Sequence, residues 1–332
     1  TMATAATATA RSITRVAARA FSHPSKPGGG NPVTVFLCPS VSHLPSSVQS
    51  DLARTCEWES VVASLPSKSA KEQGQIPSFR FYLPNGDEVS FCAHAAIGAA
   101  AVVAAEDAGP SSTLSFATAD GNQQDIVIRN GEAELLMEAK LDEDIPDDFL
   151  ALGDIRSALG LRMEDVSLGG EVGYPSYMNS SVARPKTLFP IVDMNRLHAA
   201  RNPPDAGKFR DLCDKIKSTG IYLYSACDEI GNSDGDEDDG ASSVARFECR
   251  QFPRYSGYPE DPATGIAAAA LAASLRKRGI GGEFYEFYQG TAMGRSSQIR
   301  IRFDRDADGE IDIRKMYCSG LVEILSKEDV EV

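Results

Sequence analysis

Three short stretches carry side chains that together could move a proton. His94 follows the thiol of Cys92 by two residues, and Asp261 lies in the stretch Glu260-Asp261-Pro262. Glu59 lies between Trp58 and two valines, an apolar setting that raises the pKa of a carboxyl group. Removing a proton from carbon requires such a base beside a preorganised site for negative charge. These residues predict acid–base chemistry on a small molecule.

Each of these residues also has a structural interpretation. Glu59 could be an exposed carboxylate at a helix end, His94 a core histidine with satisfied hydrogen bonds, and Asp261 a helix cap. Cys92 is better explained as a small buried residue than as a nucleophile. Glu57, two residues before Glu59, is the alternative base. If Glu59 and His94 act on one substrate, they must lie within roughly 10 Å of each other.

Two alanine-rich segments must position these groups, because both predict buried helices. They cover residues 92–105 and 264–276. A helix N-terminus leaves backbone N–H groups unpaired and favours anions, so two such ends at one cleft would hold a small carboxylate. A shift of 169 residues superposes the two segments and places Cys92 on Asp261, which indicates an internal duplication.

Short apolar runs bounded by turn residues predict β-strands around both helices. Asn130-Gly131 is a strong hairpin signal between two of them. The predicted strands are 12–21, 32–37, 61–65, 79–83, 113–116, 125–129, 132–139, 251–252, 282–288 and 298–303, and a further helix covers 46–56. We therefore expect an α+β fold of two similar halves. The first is residues 10–140, with Glu59 and His94. The second is residues 141–332, with Asp261, and its last strand and helix pack back on the first half.

The composition of the chain argues against nucleic acid and membrane as partners. The 332 residues carry a formal charge of −14, and no basic patch interleaved with aromatics is present, which argues against a nucleic-acid partner. No apolar run is long enough to span a membrane. Seven scattered cysteines predict neither a disulfide framework nor a zinc site, and indicate a reducing compartment. We expect a cytoplasmic protein, although residues 1–21 also have the composition of an organellar transit peptide.

Two acidic stretches have simple explanations. Residues 228–240 hold seven acids and predict a solvated loop. Residues 304–310 open like an EF-hand calcium loop, but Lys315 stands where the bidentate glutamate is needed and the flanks alternate like strands. We therefore expect a hairpin turn at 304–310.

Six motifs in a fixed order resemble the phenazine-biosynthesis F (PhzF-like) family, whose fold is that of diaminopimelate epimerase. The motifs are Gly30-Asn31-Pro32-x-x-Val35-Phe36, Glu59-Ser60, Phe91-Cys92-Ala93-His94-Ala95, Arg250-x-Phe252-x-x-x-x-Gly257, Glu260-Asp261-Pro262-Ala263-Thr264-Gly265 and Gln289-Gly290-x-x-Met293-Gly294-Arg295-x-Ser297. They span residues 30 to 297. Six motifs in order are specific, whereas each one alone is not.

The resemblance implies two pseudo-symmetric halves, each a barrel-like sheet wrapped on a central helix, and a homodimer. It also implies a cofactor-free, metal-free isomerase that removes a proton from one carbon and returns it elsewhere in a conjugated system. Carried over, Glu59 is the acid/base, and His94 and Asp261 hold and polarise the substrate. The remaining substrate-binding residues would be Asn31, Ala93, Ala95, Gly265 and Ile266.

The sequence departs from the family at two positions of the site. Ala93 stands where the family usually has glycine, and Ile266 stands where a serine normally follows Thr264-Gly265. Losing that hydroxyl removes one hydrogen bond to substrate, worth about 0.5–1.5 kcal/mol, so the substrate is expected to differ from the phenazine precursor. Related racemases use two opposed thiols, but here Asp261 matches Cys92, which argues against that mechanism. The alternatives are a catalytically silent binding or regulatory protein and a one-base amino-acid epimerase.

Overall fold

The structure is a computed structural model that describes residues 12–39, 44–107, 111–139, 149–167, 178–182, 184–227, 244–255 and 257–332. Its helices are α1 (Ser46–Arg54), α2 (Lys68–Glu72), α3 (Ala93–Asp107), α4 (Phe149–Leu159), α5 (Met194–Ala199), α6 (Ala206–Lys215) and α7 (Gly265–Lys277). Its strands are β1 (Ser12–Ser22), β2 (Asn31–Cys38), β3 (Ser60–Ser64), β4 (Ser78–Tyr82), β5 (Glu88–Val89), β6 (Ser111–Ala117), β7 (Gln123–Arg129), β8 (Glu132–Glu138), β9 (Met178–Val182), β10 (Arg184–Pro190), β11 (Gly220–Ala226), β12 (Ala245–Pro253), β13 (Phe284–Gln289), β14 (Ser297–Arg305) and β15 (Ile311–Glu331). The fold is α+β, as predicted.

The strands form two runs with the same pairing pattern. In the first run, β1-β2-β3-β4-β6-β7-β8, successive pairs are antiparallel, parallel, antiparallel, parallel, antiparallel and antiparallel. The second run, β9-β10-β11-β12-β13-β14-β15, repeats that order. Helices α3 and α7 occupy matching places, between β4 and β6 and between β12 and β13. The predicted boundary between residues 140 and 141 lies outside the described residues and stays a prediction.

One long strand joins the two runs into a single sheet. The first part of β15 pairs with β14 on one side and β8 on the other, and its second part pairs with β1 from Leu321 to Glu331. Because β1 is paired with β2 as well as β15, residues 12–22 are an integral strand, as the strand prediction required. Residues 1–11 lie outside the described part of the chain.

Helix α3 is buried along most of its length inside the first run of strands. It packs against β1, β2, β3, β7, β8 and β15. Its residues are almost all small and apolar, which suits a helix enclosed on every side. Strand β2 is covered on both faces: Val33 and Val35 face the α3 core, whereas Phe36 packs in a separate cluster with Leu44 and Ala53. Alternate residues thus serve two cores, which explains the unbroken apolar run in β2.

The second half contains a cluster that the sequence did not predict. Helices α4, α5 and α6 cover the outer face of β10, β11 and β12, and their apolar residues pack on Phe189, Leu223 and Phe252. The predicted strands of this half omitted β9, β10 and β11. Because β10 begins with charged residues and β11 is buried on both faces, neither gives a clean two-residue alternation.

The chain turns tightly at two places where the sequence predicts a hairpin. Asn130 and Gly131 both have positive φ, 53° and 80°, and form the hairpin between β7 and β8, as predicted. Of the predicted turn at 304–310, residues 306–310 connect β14 to β15, whereas Asp304 and Arg305 end β14; Asp306 accepts backbone hydrogen bonds in the turn. All seven cysteines are free thiols. The acidic segment 228–240 lies outside the described residues, and no helix in the described part is long and apolar enough to cross a membrane.

Candidate active site

A cavity of about 180 Å³ lies where the two enclosed helices begin. Ala93 and Gly265, the first residues of α3 and α7, both line it. So do the three groups predicted to carry the chemistry, Glu59, His94 and Asp261. The cavity is smaller than a drug-sized pocket, so it suits a small molecule. Residues from distant parts of the sequence therefore converge on one enclosed volume.

Glu59 lies directly before β3 with its carboxylate buried. The hydroxyl of Tyr258 donates to Oε1 at 2.7 Å, whereas Oε2 is buried and accepts no hydrogen bond from the described residues. Burial raises the pKa of Glu59, and the Tyr258 hydrogen bond opposes that rise. The result is a carboxylate with one oxygen fixed and one oxygen open, as a base for a carbon acid requires.

His94 is in the first turn of α3 and faces Glu59. Its Nε2 lies 3.7 Å from Oε2 of Glu59, and its Nδ1 lies 3.3 Å from Sγ of Cys92. Burial lowers the pKa of His94 to about 4. The imidazole is therefore neutral at pH 7, and its contact with Glu59 is not an ion pair. Burial also raises the pKa of Cys92, which leaves that sulfur a thiol and a poor nucleophile.

Asp261 is held in place from several sides. Its Oδ1 accepts from the Asn31 side-chain amide at 2.7 Å and from the Ala263 backbone at 3.3 Å, and its Oδ2 accepts from the Thr264 hydroxyl at 2.7 Å. The N-cap of α7 is Thr264, so Asp261 lies before the helix and is not its N-cap. Burial raises the pKa of Asp261 to about 6. Near neutral pH it can both donate and accept a hydrogen bond.

Sequence and structure comparisons agree on the family. A family model described as phenazine biosynthesis-like protein matches residues 229–321. The curated phenazine biosynthesis-like domain-containing protein of Rattus norvegicus is 24% identical, over 86% of this chain and 90% of that protein. A crystal structure of a PhzF-family phenazine biosynthesis protein from Bacillus anthracis superposes with a TM-score of 0.73 at 16% identity, covering 97% of this chain and all (100%) of that chain. The chain is PhzF-like.

Two further matches carry reaction names. An uncharacterized isomerase of Deinococcus radiodurans is 28% identical, over 35% of this chain and 34% of that protein. A hydroxyproline epimerase from Agrobacterium vitis shares the fold, with a TM-score of 0.52 at 11% identity over 97% of this chain and 91% of that chain. The second likeness concerns the fold alone.

The other predicted site residues of this PhzF-like chain divide into two groups. Ala93, Gly265 and Ile266 line the cavity. Asn31 and Ala95 are buried and do not line it. The Asn31 side-chain amide donates to Oδ1 of Asp261 and to the Ala263 carbonyl, each at 2.7 Å. The Asn31 side chain therefore contacts Asp261 and not the cavity. We therefore assign Asn31 a positioning role, which corrects its predicted contact with substrate.

The two glutamates considered as the base differ in exposure. Glu57 is exposed and does not line the cavity, whereas Glu59 is buried within it. Glu88, which the sequence places near Cys92 and His94, forms a paired ion contact with Arg80 and does not line the cavity either. Of these three carboxylates, only Glu59 can reach a substrate in the cavity.

Sequence reasoning missed the polar residues that complete the cavity. Tyr258 supports Glu59, and Arg184, Lys186 and Thr219 line the wall formed by β10 and the start of β11. Arg184 and Lys186 are two positions apart on β10 and therefore lie on one face of that strand, but the polar beginning of β10 gives no hydrophobic alternation that would have indicated the strand. Within the described residues no group of three or more His, Cys, Asp or Glu side chains is arranged as a metal site.

Proposed function

We propose that this PhzF-like chain is a cofactor-independent isomerase that shifts a proton within a small substrate bearing a carboxylate. Glu59 is the acid and base. His94 and Asp261 hold and polarise the substrate, and the starts of α3 and α7 stabilise negative charge that develops on it. Ile266 lines the cavity. Because it replaces the serine of relatives, it is the residue that we expect to select a different substrate.

One observation carries this proposal. Glu59 lines the cavity, and its buried Oε2 accepts no hydrogen bond from the described residues and lies 3.7 Å from the neutral imidazole of His94. A buried carboxylate oxygen left open in this way is costly unless a ligand or a proton occupies it. The raised pKa of Glu59 makes it a stronger base once it is ionised.

The proposed reaction has two proton transfers. Oε2 of ionised Glu59 takes a proton from a carbon next to a conjugated system, so a C–H bond breaks and an O–H bond forms. The electron pair spreads over the conjugated system onto an oxygen that faces the helix starts. Glu59 then returns the proton to a different carbon. The double bond has moved, and Glu59 is again ionised.

Support from the comparisons is of two kinds. The Deinococcus radiodurans relative is described as an isomerase, and the Agrobacterium vitis neighbour as a hydroxyproline epimerase. The second description favours a second candidate, a one-base epimerase that acts on an amino acid. Asp261 occupies the place opposite Cys92, so the site offers no second thiol for the two-base form of that reaction. The predicted homodimer and cytoplasmic location stay predictions.

Incorporation of solvent deuterium tests the proposal. Cyclic and amino-acid carboxylates would be incubated with the protein in D₂O and followed by mass spectrometry and NMR. We expect wild type and Glu57→Gln to label a substrate, and Glu59→Gln to lose labelling by at least about 100-fold, the usual contribution of a general base. A moved double bond identifies the isomerase, and loss of optical activity without movement identifies the epimerase. Labelling or movement of a double bond that survives Glu59→Gln contradicts the mechanism. Neither labelling nor a moved double bond across the panel favours a binding or regulatory protein.

A further inference from the structure

Two cations line the active-site cavity without a carboxylate partner among the described residues. Arg184 and Lys186 are two positions apart on β10, so both side chains leave the same face of the strand. Nη2 of Arg184 donates to the Phe91 carbonyl at 2.8 Å, and Nζ of Lys186 donates to the Thr219 carbonyl at 3.3 Å. A guanidinium has five N–H donors and an ammonium three, so most of these donors stay available.

Burial makes this arrangement costly in the free protein. Lys186 is only 5% exposed, and lysines are almost never that buried unless they are paired. Another buried cation of the chain follows the usual pattern: Arg250 makes two hydrogen bonds to Glu260, at 2.8 and 2.7 Å. Arg184 and Lys186 have no such carboxylate partner among the described residues, although the chain as a whole is rich in acids and carries a formal charge of −14.

The two acids of the cavity do not serve as the missing counterions. Asp261 is bound by Asn31, Ala263 and Thr264, and Glu59 by Tyr258. Neither acid lies within ion-pair distance of Arg184 or Lys186 in the described structure. Arg184 lowers the pKa of Glu59 and Lys186 lowers the pKa of Asp261 from beyond ion-pair distance, but burial outweighs both effects and the pKa of each acid is raised.

We propose that Arg184 and Lys186 form the subsite that binds the carboxylate of the substrate. This inference rests on the proposed function, because it assigns the fixed anionic group of the same substrate. The guanidinium supplies parallel donors for a planar carboxylate, and the ammonium supplies a second charge. The helix starts then serve the charge that develops during the reaction. The substrate class is a small acid whose carboxylate lies at β10 while its reacting carbon faces Glu59.

Binding of simple carboxylates tests the subsite without knowledge of the substrate. Benzoate and propionate would be titrated into the full chain by calorimetry, with benzamide as the uncharged probe. We expect benzoate or propionate to bind, and Lys186→Met and Arg184→Met each to weaken binding by at least about 10-fold, the lower range for a charge-assisted hydrogen bond. Lys186→Arg should retain affinity within about 3-fold, since it keeps the charge. Lys208→Met, at an exposed lysine, is the matched control.

The proposal is overturned if neither carboxylate binds wild type below about 10 mM, or if affinity is the same in Lys186→Met and Lys208→Met. It is also overturned if benzamide binds as tightly as benzoate. Circular dichroism of each variant, together with Lys186→Arg, separates lost binding from lost folding. Glu59→Gln separates the two hypotheses: it should still bind benzoate while losing deuterium exchange. Binding that depends on Lys186 without any exchange in wild type would leave the subsite standing and refute the isomerase.

Discussion

Nε2 of His94 and Oε2 of Glu59 lie 3.7 Å apart, although 35 positions separate the two residues and they come from different elements. Glu59 lies at the start of β3, and His94 is in the first turn of α3. Both side chains are buried, and both meet the cavity that Asp261 enters from the second half. The distance is far inside the 10 Å or so that a shared substrate permits.

The hydroxyl of Tyr258 should set the pH at which the base becomes active. Its hydrogen bond to Glu59 lowers the pKa of that carboxyl against the effect of burial, so Tyr258→Phe should raise the pKa further. The acidic limb of the kcat/KM profile for deuterium exchange should then move to higher pH, because the hydrogen bond stabilises the ionised carboxylate. Tyr255→Phe, at an exposed tyrosine of the same cavity wall, should leave the profile unchanged. A profile of Tyr258→Phe that matches wild type would remove Tyr258 from this role.

His94 should make the fold less stable in mild acid. Its pKa is about 4 in the folded protein and 6.5 in the reference state, so unfolding takes up a proton below pH 6.5. The contribution of the neutral imidazole to the free energy of unfolding is fully present above pH 6.5, and it is lost as the pH falls toward 4. Between pH 7 and pH 5 this amounts to about 2 kcal/mol.

Urea unfolding of wild type and His94→Gln at pH 7 and pH 5 measures this effect. The pKa of Asp261 is raised, so its contribution has the opposite sign and grows as pH falls through 6. The informative quantity is therefore the difference in the free energy of unfolding between wild type and His94→Gln. From pH 7 to pH 5 this difference should shift by about 2 kcal/mol in favour of His94→Gln. An unchanged difference would show that His94 is accessible to protons in the folded state.

The buried pair of Arg250 and Glu260 should be a large stabilising element beside the site. Nη1 of Arg250 also donates to the carbonyls of Leu197 and Ala200, which ties α5 to the residue before Asp261. Glu260→Gln leaves a buried cation without its partner and should cost about 3–5 kcal/mol in the free energy of unfolding. Lys327→Met breaks a half-exposed pair with Glu106 and should cost about 1 kcal/mol or less. Equal costs in urea unfolding would contradict this assignment.

Gly98 should be required for the close packing of α3 on β2. A methyl group at residue 98 would lie 2.5 Å from Cγ1 of Val33, a distance that forces one of them to move. Gly98→Ala should therefore destabilise by about 1–3 kcal/mol, despite the better helix propensity of alanine. Gly153→Ala in α4 meets no atom within 4 Å and should stabilise instead. In a double-mutant cycle, Val33→Ala should relieve the cost of Gly98→Ala, and strict additivity would show that the strain lies elsewhere.

The groups that the sequence predicted best are those that lie next to strong local signals. Glu59 and His94 border an apolar strand and an alanine-rich helix, and Asp261 precedes the second such helix, so their neighbours revealed their places. Arg184 and Lys186 were missed because a polar strand beginning gives no hydrophobic alternation. Asn31 was assigned to the substrate because its motif could not show that its amide is occupied by Asp261 and Ala263.

The long strand β15 makes folding of the first half depend on residues 311–331. Its residues pair with β8 and with β1, so until they are synthesised both of these strands expose an unpaired edge. Contacts that span about 300 residues form slowly, because a long loop must close before they gain energy. On the ribosome, the half that carries Glu59 and His94 must therefore wait for residues 311–331 to emerge before its sheet is complete around the base.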